Sequence, residues 1–196
     1  MMSRTAKVHR KTAETDVAVT LNLDGTGRHA LQTHIPFLDH MLAQLATHGL
    51  FDLDIEAGGD LEVDLHHTVE DVGIALGEAF AQAMGDKRGI RRFASALVPL
   101  DEALARIALD ISGRPYLVYE APQLQGRIES FDVTLVKEFM RALAMNMKVN
   151  LHVAVLYGEN LHHCVEAIFK ALARCLDQAT AVDPRIVEVP STKGSL

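Results

Sequence analysis

Two copies of a short motif, HHxxE, constrain the fold more than any other feature of this sequence. They are HHTVE at residues 66–70 and HHCVE at residues 162–166, and they begin 96 residues apart. Each motif opens a segment whose apolar residues recur every three or four positions, which is the pattern of an amphipathic helix. The two apolar stripes are Val69, Val72, Leu76 and Phe80, and Val165, Ile168, Leu172 and Leu176. Two such motifs in equivalent positions predict an internal repeat.

The segments between the motifs predict small sheets as well as helices. Residues 17–23 alternate between apolar and polar and end at a turn, which predicts a strand with residues 26–34 returning antiparallel. Residues 51–56 and 61–65 predict a second hairpin. In the second half, residues 103–111 predict a strand paired with 116–119, and 149–155 predict another strand. Helices are predicted from Pro36 to Gly49 and over residues 134–146.

These elements predict a single α+β domain over residues 1–196, built as a pseudo-twofold duplication of ββαββα-like halves. Each half carries a small sheet covered by helices on one face. The halves are predicted at about residues 1–95 and 96–182, followed by an irregular tail at residues 183–196 that contains Pro184 and Pro190.

Composition excludes several classes of protein. The chain has 196 residues, 48% of them hydrophobic, and a formal net charge of −7, which opposes broad binding to nucleic acid or to an anionic membrane. No apolar run approaches the ~20 residues that a membrane span requires. The two cysteines, Cys164 and Cys175, are spaced for neither a CxxC redox pair nor a thiolate zinc site. We therefore expect a cytoplasmic protein that holds any anionic ligand in a local basic pocket.

The histidines and glutamates of the repeated motif suit a metal site. On a helix, His67 and Glu70 are i, i+3 neighbours that can converge on one cation, as are His163 and Glu166, while the first histidine of each pair points elsewhere. Imidazole and carboxylate together favour manganese, iron, cobalt or zinc over calcium. A single histidine pair at a helix start is usually solvated, but the repetition, with His40 and His152 near the motifs, favours metal binding. The signatures HExxH and GxSxG are absent.

Longer segments resemble one known family. These are FLDHML (37–42), HHTVEDVGIALGEAF (66–80), GDKRGIRRF (85–93), DEALARIALDISGRPYLVYE (101–120), LHVAVLYGENLHHCVEAIFKALA (151–173) and PSTKG (190–194). They are similar to the imidazoleglycerol-phosphate dehydratase family of histidine biosynthesis, over nearly the whole chain. The resemblance implies a fold with helices packed between two small mixed sheets, of the ribosomal protein S5 domain 2-like type.

The resemblance also implies an activity and a cofactor. Members of the family are lyases that remove water from D-erythro-imidazole glycerol phosphate to give imidazole acetol phosphate. They use two Mn(II) ions to bind the substrate imidazole and activate it as imidazolate. They assemble into homo-oligomers of 24 subunits, with sites at subunit interfaces. The same is therefore expected of this chain, with no nucleic acid or membrane as a partner.

Site residues follow from the resemblance position by position. One metal is expected to take His40, His67, Glu70 and His162, and the other His66, His152, His163 and Glu166. Glu14 matches the catalytic glutamate of the family. The residues that match substrate- or phosphate-binding positions are Arg92, Arg114, Lys170, Ser191 and Lys193. The chain departs from the family pattern at His34, where glycine is more usual, so the local geometry there is open.

Two other functions remain possible for this set of residues. Metal ions could staple subunits together without catalysis, although such a staple has no need of the basic residues. A two-metal phosphate-ester hydrolase could use a hydroxide bridging metal ions ~3.5–4 Å apart.

Overall fold

The first half of the protein forms a four-stranded mixed sheet and two helices. The computed structural model describes residues 4–196. Its elements up to residue 84 are β1 (Thr5–Lys11), β2 (Thr15–Asn22), β3 (His29–Gln32), α1 (Pro36–Gly49), β4 (Asp52–Gly59) and α2 (His66–Met84). The strands lie in the order β1-β2-β4-β3. β2 is antiparallel to both β1 and β4, and β3 is parallel to β4.

The second half forms a sheet with the same order of strands. Its elements are β5 (Phe93–Leu100), β6 (Ala103–Asp110), β7 (Tyr116–Glu120), β8 (Arg127–Ile128), β9 (Phe131–Asp132), α3 (Leu135–Met147), β10 (Asn150–Tyr157) and α4 (Leu161–Thr180). The order β5-β6-β10-β7 repeats the pattern of the first sheet, and β8 and β9 form a separate ribbon. The common topology supports the predicted internal repeat.

Three of the predicted strand arrangements are wrong. β3 and β7 pair parallel with β4 and β10, instead of antiparallel with the strands that precede them. In both halves a helix lies between the two parallel strands, and a crossover of that length is what parallel pairing requires. Residues 61–65 form turns and no strand, so the first half has the order βββαβα, and the second half has the same order with the β8–β9 ribbon inserted before α3. β1 and β5 lie outside the segments predicted as strands.

The four helices lie between the two sheets, as the fold class predicted. α2 packs on β1, β2 and α3, and α4 packs on β5, β6 and α1. Aromatic pairs add to the core: Phe51, just before β4, packs against Phe80 of α2, and Phe139 of α3 packs against Phe169 of α4, with ring centroids 5.2 and 5.3 Å apart. All four rings are fully buried, and each contributes about 2 kcal/mol of hydrophobic stabilisation.

Both histidine pairs lie in the first turn of a helix, where backbone N–H groups need acceptors. The Asn160 side chain accepts from the N–H groups of His162 and His163, at 2.9 and 3.4 Å. The Asp64 carboxylate accepts from the N–H of His66 at 2.7 Å. Asn160 is thus the side-chain cap of α4, while Asp64 lies one residue before Leu65, the N-cap position of α2, which has no side-chain cap.

The loop before α1 explains the unusual residue at position 34. His34 has φ of +61°, in the left-handed region that glycine adopts at little cost. Its side chain is exposed. The glycine usual in the family therefore matches a requirement of the backbone, and the imidazole extends to solvent without crowding the turn.

Two further features concern the tail and the helices. The tail from residue 183 contains turns and bends but no strand or helix. No helix within residues 4–196 combines the length and apolar character needed to cross a membrane.

Candidate active site

One carboxylate joins the two halves of the chain at the centre of the candidate site. The Nε2 atoms of His40 and His162 each lie 3.0 Å from Oε2 of Glu166. His40 is on α1 and the other two residues are on α4, and these helices pack together. The His40 and His162 rings are 5.6 Å apart, centroid to centroid. The packing of α1 on α4 thus brings three predicted ligands to one point.

The Glu166 carboxylate is charged at neutral pH. Its side chain is only 12% exposed, and Nζ of Lys170 lies 2.6 Å from Oε1. Burial raises the pKa of Glu166, but hydrogen bonds from Lys170, His40 and His162 outweigh it and lower this pKa to about 2. A buried anion with two imidazoles beside it favours a bound cation.

These residues pass a simple test of fit for a transition metal. One donor atom each from His40, His162 and Glu166 can be chosen so that all three lie within 4.8 Å of one another. Two nitrogens and one carboxylate oxygen make the borderline donor set that manganese, iron, cobalt and zinc accept. The donor atoms of these residues therefore fit the predicted metal, although the predicted ligand sets place Glu166 on one ion and His40 and His162 on the other.

The second histidine of each pair is held by a carboxylate from a loop. His67 Nδ1 donates to Asp60 at 3.0 Å, and His163 Nδ1 donates to Glu102 at 2.7 Å. These hydrogen bonds raise the pKa of both histidines. They fix the ring orientation and leave Nε2 as the ligand atom, which is the usual arrangement at metal-binding histidines.

Within each motif, the glutamate contacts the first histidine and not the second. His162 lies 3.0 Å from Glu166 and His66 lies 3.9 Å from Glu70, both at i, i+4 spacing. The motif spacing predicts i, i+3 convergence within each helix instead. The difference arises because the loop carboxylates draw the second histidines away from the glutamates.

His152 lies apart from the central cluster, which is formed by His40, His162 and Glu166. It is on the exposed outer face of the second sheet, opposite the helices, because neighbouring residues of β10 face the core. With Asp110 and Asn150 it lines a cleft of about 580 Å³. Among residues 4–196, only His40, His162 and Glu166 of the eight predicted ligands come together in one chain. The complete sets, with His66, His67, Glu70, His152 and His163, stay predictions.

Most of the predicted phosphate-binding residues lie where the tail meets the second sheet. The Arg92 guanidinium donates to Asp110 at 2.7 Å and to the Pro190 carbonyl at 2.8 Å. A Cβ added to Gly113 would lie 2.5 Å from the carbonyl carbon of Leu196, so the chain end packs against this loop. The tail residues Ser191 and Lys193 and the loop residue Arg114 are therefore carried by adjoining segments. Lys170 lies instead beside Glu166 on α4.

Glu14 lies close to the first histidine pair. Its carboxylate is 58% exposed and lies 3.7 Å from His67 Nδ1. Its backbone carbonyl accepts from the N–H of Asp60 at 3.2 Å. A carboxylate that is exposed and next to a candidate metal ligand is available for proton transfer to a bound molecule.

Sequence reasoning did not find Asp60 and Glu102, the carboxylates that orient His67 and His163. Neither belongs to a helical motif, because both come from loops whose course depends on the sheet. The available signal is weak: Glu102 directly precedes the strand predicted at residues 103–111, and Asp60 lies in the turn predicted between residues 51–56 and 61–65.

An imidazole- and carboxylate-rich site on an α+β scaffold is typical of an enzyme that moves protons or binds a cation. Residues 33–176 match the family model described as imidazoleglycerol-phosphate dehydratase. The chain belongs to the imidazoleglycerol-phosphate dehydratase family, a family of hydro-lyases of histidine biosynthesis.

Relatives and solved structures agree with this assignment over the whole length. Imidazoleglycerol-phosphate dehydratase of Geobacter metallireducens is 56% identical over 195 residues, covering 100% of both chains. That of Methylorubrum extorquens is 58% identical over 194 residues, covering 98% of this chain and 100% of the relative. The crystal structure of the Staphylococcus aureus dehydratase has a TM-score of 0.83 at 35% identity, covering 91% of this chain and 99% of the other. A crystal structure of IGPD from Pyrococcus furiosus has a TM-score of 0.83 at 38% identity, covering 96% and 100%.

Proposed function

We propose that the protein dehydrates D-erythro-imidazole glycerol phosphate to imidazole acetol phosphate, with two Mn(II) ions in each active site. The observation that carries the proposal is the convergence of His40 and His162 on Glu166, each at 3.0 Å. The names of the relatives, which cover the full chain, support the choice of substrate.

The metal ligands divide into two sets in this proposal. His40, His67, Glu70 and His162 hold one ion, and His66, His152, His163 and Glu166 hold the other. Because one chain brings only three of them together, the remainder reach the site from neighbouring chains, which fits an assembly of 24 subunits. When bound, the ions supply positive charge that lowers the pKa of a coordinated imidazole.

Glu14 handles the proton in this reaction. A carbon–hydrogen bond next to the leaving hydroxyl breaks, and the Glu14 carboxylate takes the proton. Glu14 passes a proton to the leaving hydroxyl, which departs as water, and the resulting enol tautomerises to the ketone. The position of Glu14 beside His67 supports this role. A substrate whose imidazole is bound near His67 has its glycerol carbons next to the Glu14 carboxylate.

The basic residues bind the phosphate. Arg92, Arg114 and Lys193 supply cations, and Ser191 a hydroxyl, at the junction of the tail and the second sheet. Guanidinium groups match phosphate oxygens in a bidentate geometry. Lys170 lies apart from this junction, beside Glu166, where it balances the charge of that carboxylate and is available to contact the substrate. This local set provides the anion site that the acidic chain requires.

One assay tests the proposal against both alternatives. Purified protein is incubated with manganese and imidazole glycerol phosphate, and the ketone and free phosphate are measured. We expect ketone and no phosphate. Release of phosphate would support a phosphate-ester hydrolase, and the absence of both products from manganese-saturated protein would support a structural role for the metal. A cytoplasmic location is also proposed, and the free cysteines Cys164 and Cys175 support it.

A further inference from the structure

Glu14 and Glu102 occupy equivalent positions in the two halves of the chain. Each directly precedes the buried first residue of a strand, which is Thr15 in β2 and Ala103 in β6. The strands around them have the same order and directions in both sheets.

Two glycines confirm that Thr15 and Ala103 correspond. A Cβ added to Gly59 would contact the side chains of Thr15 and Thr68, and one added to Gly158 would contact those of Ala103 and Cys164. Thr68 and Cys164 are the residues that follow the second histidine of each pair. The same contact among three residues is therefore present in both halves.

The two equivalent glutamates make different contacts. Glu102 Oε2 accepts from His163 Nδ1 at 2.7 Å, while its Oε1 accepts from the N–H groups of Glu159 and Asn160 at 3.2 and 2.8 Å. Both oxygens of Glu102 are thus occupied. The Glu14 carboxylate accepts no hydrogen bond from any group of residues 4–196. Nδ1 of His67 lies 3.7 Å from it, which is too far for a hydrogen bond.

Asp60 accounts for this difference. Its two carboxylate oxygens lie 3.0 and 3.2 Å from His67 Nδ1 and accept its hydrogen bond. Asp60 therefore orients His67 as Glu102 orients His163. The Asp60 N–H also donates to the carbonyl of Glu14, which fixes the two residues relative to each other.

The hairpin that carries Glu14 has a second attachment, to α2. The buried Asp71 carboxylate accepts from the Thr15 hydroxyl and from Arg10 Nε. In the second half the corresponding residues are Ala103 and Ala167, which cannot form this bond. Only the first half has this attachment, and in that half the glutamate, Glu14, is not hydrogen-bonded to the histidine, His67.

We propose that Asp60 is a positioning residue that holds His67 so that Glu14, the counterpart of Glu102, stays free for proton transfer. This inference rests on the proposed role of Glu14. It implies that rotation of the Glu14 side chain is enough to bring its carboxylate to His67 Nδ1 when the Asp60 carboxylate is absent. An enzyme that lacks the Asp60 carboxylate then keeps an oriented histidine but loses its proton acceptor.

Manganese affinity and steady-state kinetics, measured on the purified assembled protein, test this proposal together. Asp60→Ala should lower kcat by about 100-fold or more and leave the manganese dissociation constant within about threefold, because Glu14 replaces Asp60. The double variant Asp60→Ala/Glu14→Ala should weaken manganese binding by about 10–100-fold, the usual cost of losing such a partner. Glu14→Ala alone should leave manganese binding unchanged.

Two variants serve as matched controls. Asp60→Asn keeps an acceptor oxygen at the same place, so it should recover most of the kcat that Asp60→Ala loses. Glu102→Ala should weaken manganese binding by about 10–100-fold in a single step, because the other carboxylate near this histidine, that of Asp101, lies 3.9 Å from Nε2 and not beside Nδ1.

The outcomes separate this proposal from the proposed function. Equal manganese affinity in Asp60→Ala and in the double variant would overturn it, as would an Asp60→Ala enzyme with wild-type kcat. If Glu14→Gln retained full dehydratase activity, the proposed role of Glu14 would fail. The manganese affinities of the unchanged protein, Asp60→Ala, Glu14→Ala and the double variant would then still report whether Asp60 and Glu14 compete for His67.

Discussion

Nε2 of His40 lies 3.0 Å from Oε2 of Glu166, although 126 residues separate the two along the chain. The contact joins a helix of the first half to the motif helix of the second. Because α1 packs on α4, the central cluster depends on the docking of the two halves as well as on the motif itself. Damage to this helix interface should therefore damage the candidate metal site.

Removal of either imidazole of the cluster should weaken metal binding. His40→Ala or His162→Ala deletes a donor atom from around Glu166 and leaves a buried carboxylate with fewer partners. We expect manganese affinity to fall by at least about 100-fold, more than the loss of an outer partner costs, and dehydratase activity to fall with it. Manganese titration and sedimentation velocity measure binding and assembly, which should weaken together because metal binding and association are linked.

The matched control is His29→Ala, which changes an exposed histidine on β3. It should leave manganese affinity, assembly and activity as they are in the unchanged protein. A His162→Ala protein with normal manganese content and full turnover would remove His162 from the site.

Glu14→Gln should separate rate from binding. The amide keeps the size of the side chain but cannot accept the proton, so kcat should fall by about 100- to 10,000-fold. KM and the manganese dissociation constant should stay within about twofold to threefold, because Glu14 is not a predicted metal ligand. Steady-state kinetics with a parallel manganese titration make the comparison, and an unchanged kcat would exclude Glu14 from the reaction.

The helices could be predicted from the sequence because their signal is local. The apolar stripes of α1, α2, α3 and α4 repeat every three or four residues, and all four helices form at the predicted places. The partners of β3 and β7 could not be predicted in the same way. Alternation indicates a strand, but the neighbour of a strand depends on the course of the helix that follows it.

The candidate site shows the same division between local and distant information. The repeated motif predicts that histidine and glutamate share a helix turn, which is a local matter, but it favours His163 as the partner of Glu166, whereas the contact is made by His162. It does not reveal that Asp60 and Glu102 hold the second histidines, since a loop carboxylate reaches its histidine only after the sheet has formed. The positive φ of His34 could not be predicted either, because a histidine in the sequence does not indicate such a turn.

The close contact of Gly59 with α2 predicts a large effect from one methyl group. A Cβ at position 59 would lie 2.1 Å from Oγ1 of the buried Thr68, which follows His67. Gly59→Ala should therefore lower the free energy of unfolding by about 1–3 kcal/mol and displace the start of α2. Chemical denaturation and manganese titration measure the two effects.

Neighbouring positions supply the controls for this variant. Gly58→Ala meets no atom within 4 Å, so it should be neutral or stabilising by up to about 1 kcal/mol. Adding Thr68→Ala to Gly59→Ala removes the clashing oxygen, which has no hydrogen-bond partner among residues 4–196, and should restore much of the stability. If Gly59→Ala and Gly58→Ala proved equally stable, the close contact would be wrong.

Asp52 should make stability depend on pH in the acid range. Its carboxylate accepts from the Arg28 guanidinium at 2.7 Å and from the Thr26 N–H at 2.8 Å. The Arg28 hydrogen bond, followed by that of Thr26, holds the pKa of Asp52 well below its ordinary value of about 4. The folded protein thus binds this proton less readily than the unfolded chain, so the stabilisation is complete above about pH 4 and is lost as the pH falls through the folded-state pKa.

Asp52→Asn should therefore be less stable than the unchanged protein at pH 5–7, and the difference should shrink steadily below about pH 4. Thermal unfolding of metal-free protein measures this, because loss of metal from histidines in acid then adds nothing to the change. The matched control is Asp54→Asn on the same strand, since Asp54 forms no ion pair within the described part of the chain. A stability difference for Asp52→Asn that stayed constant down to pH 2 would show that the charge of Asp52 is not what holds this loop.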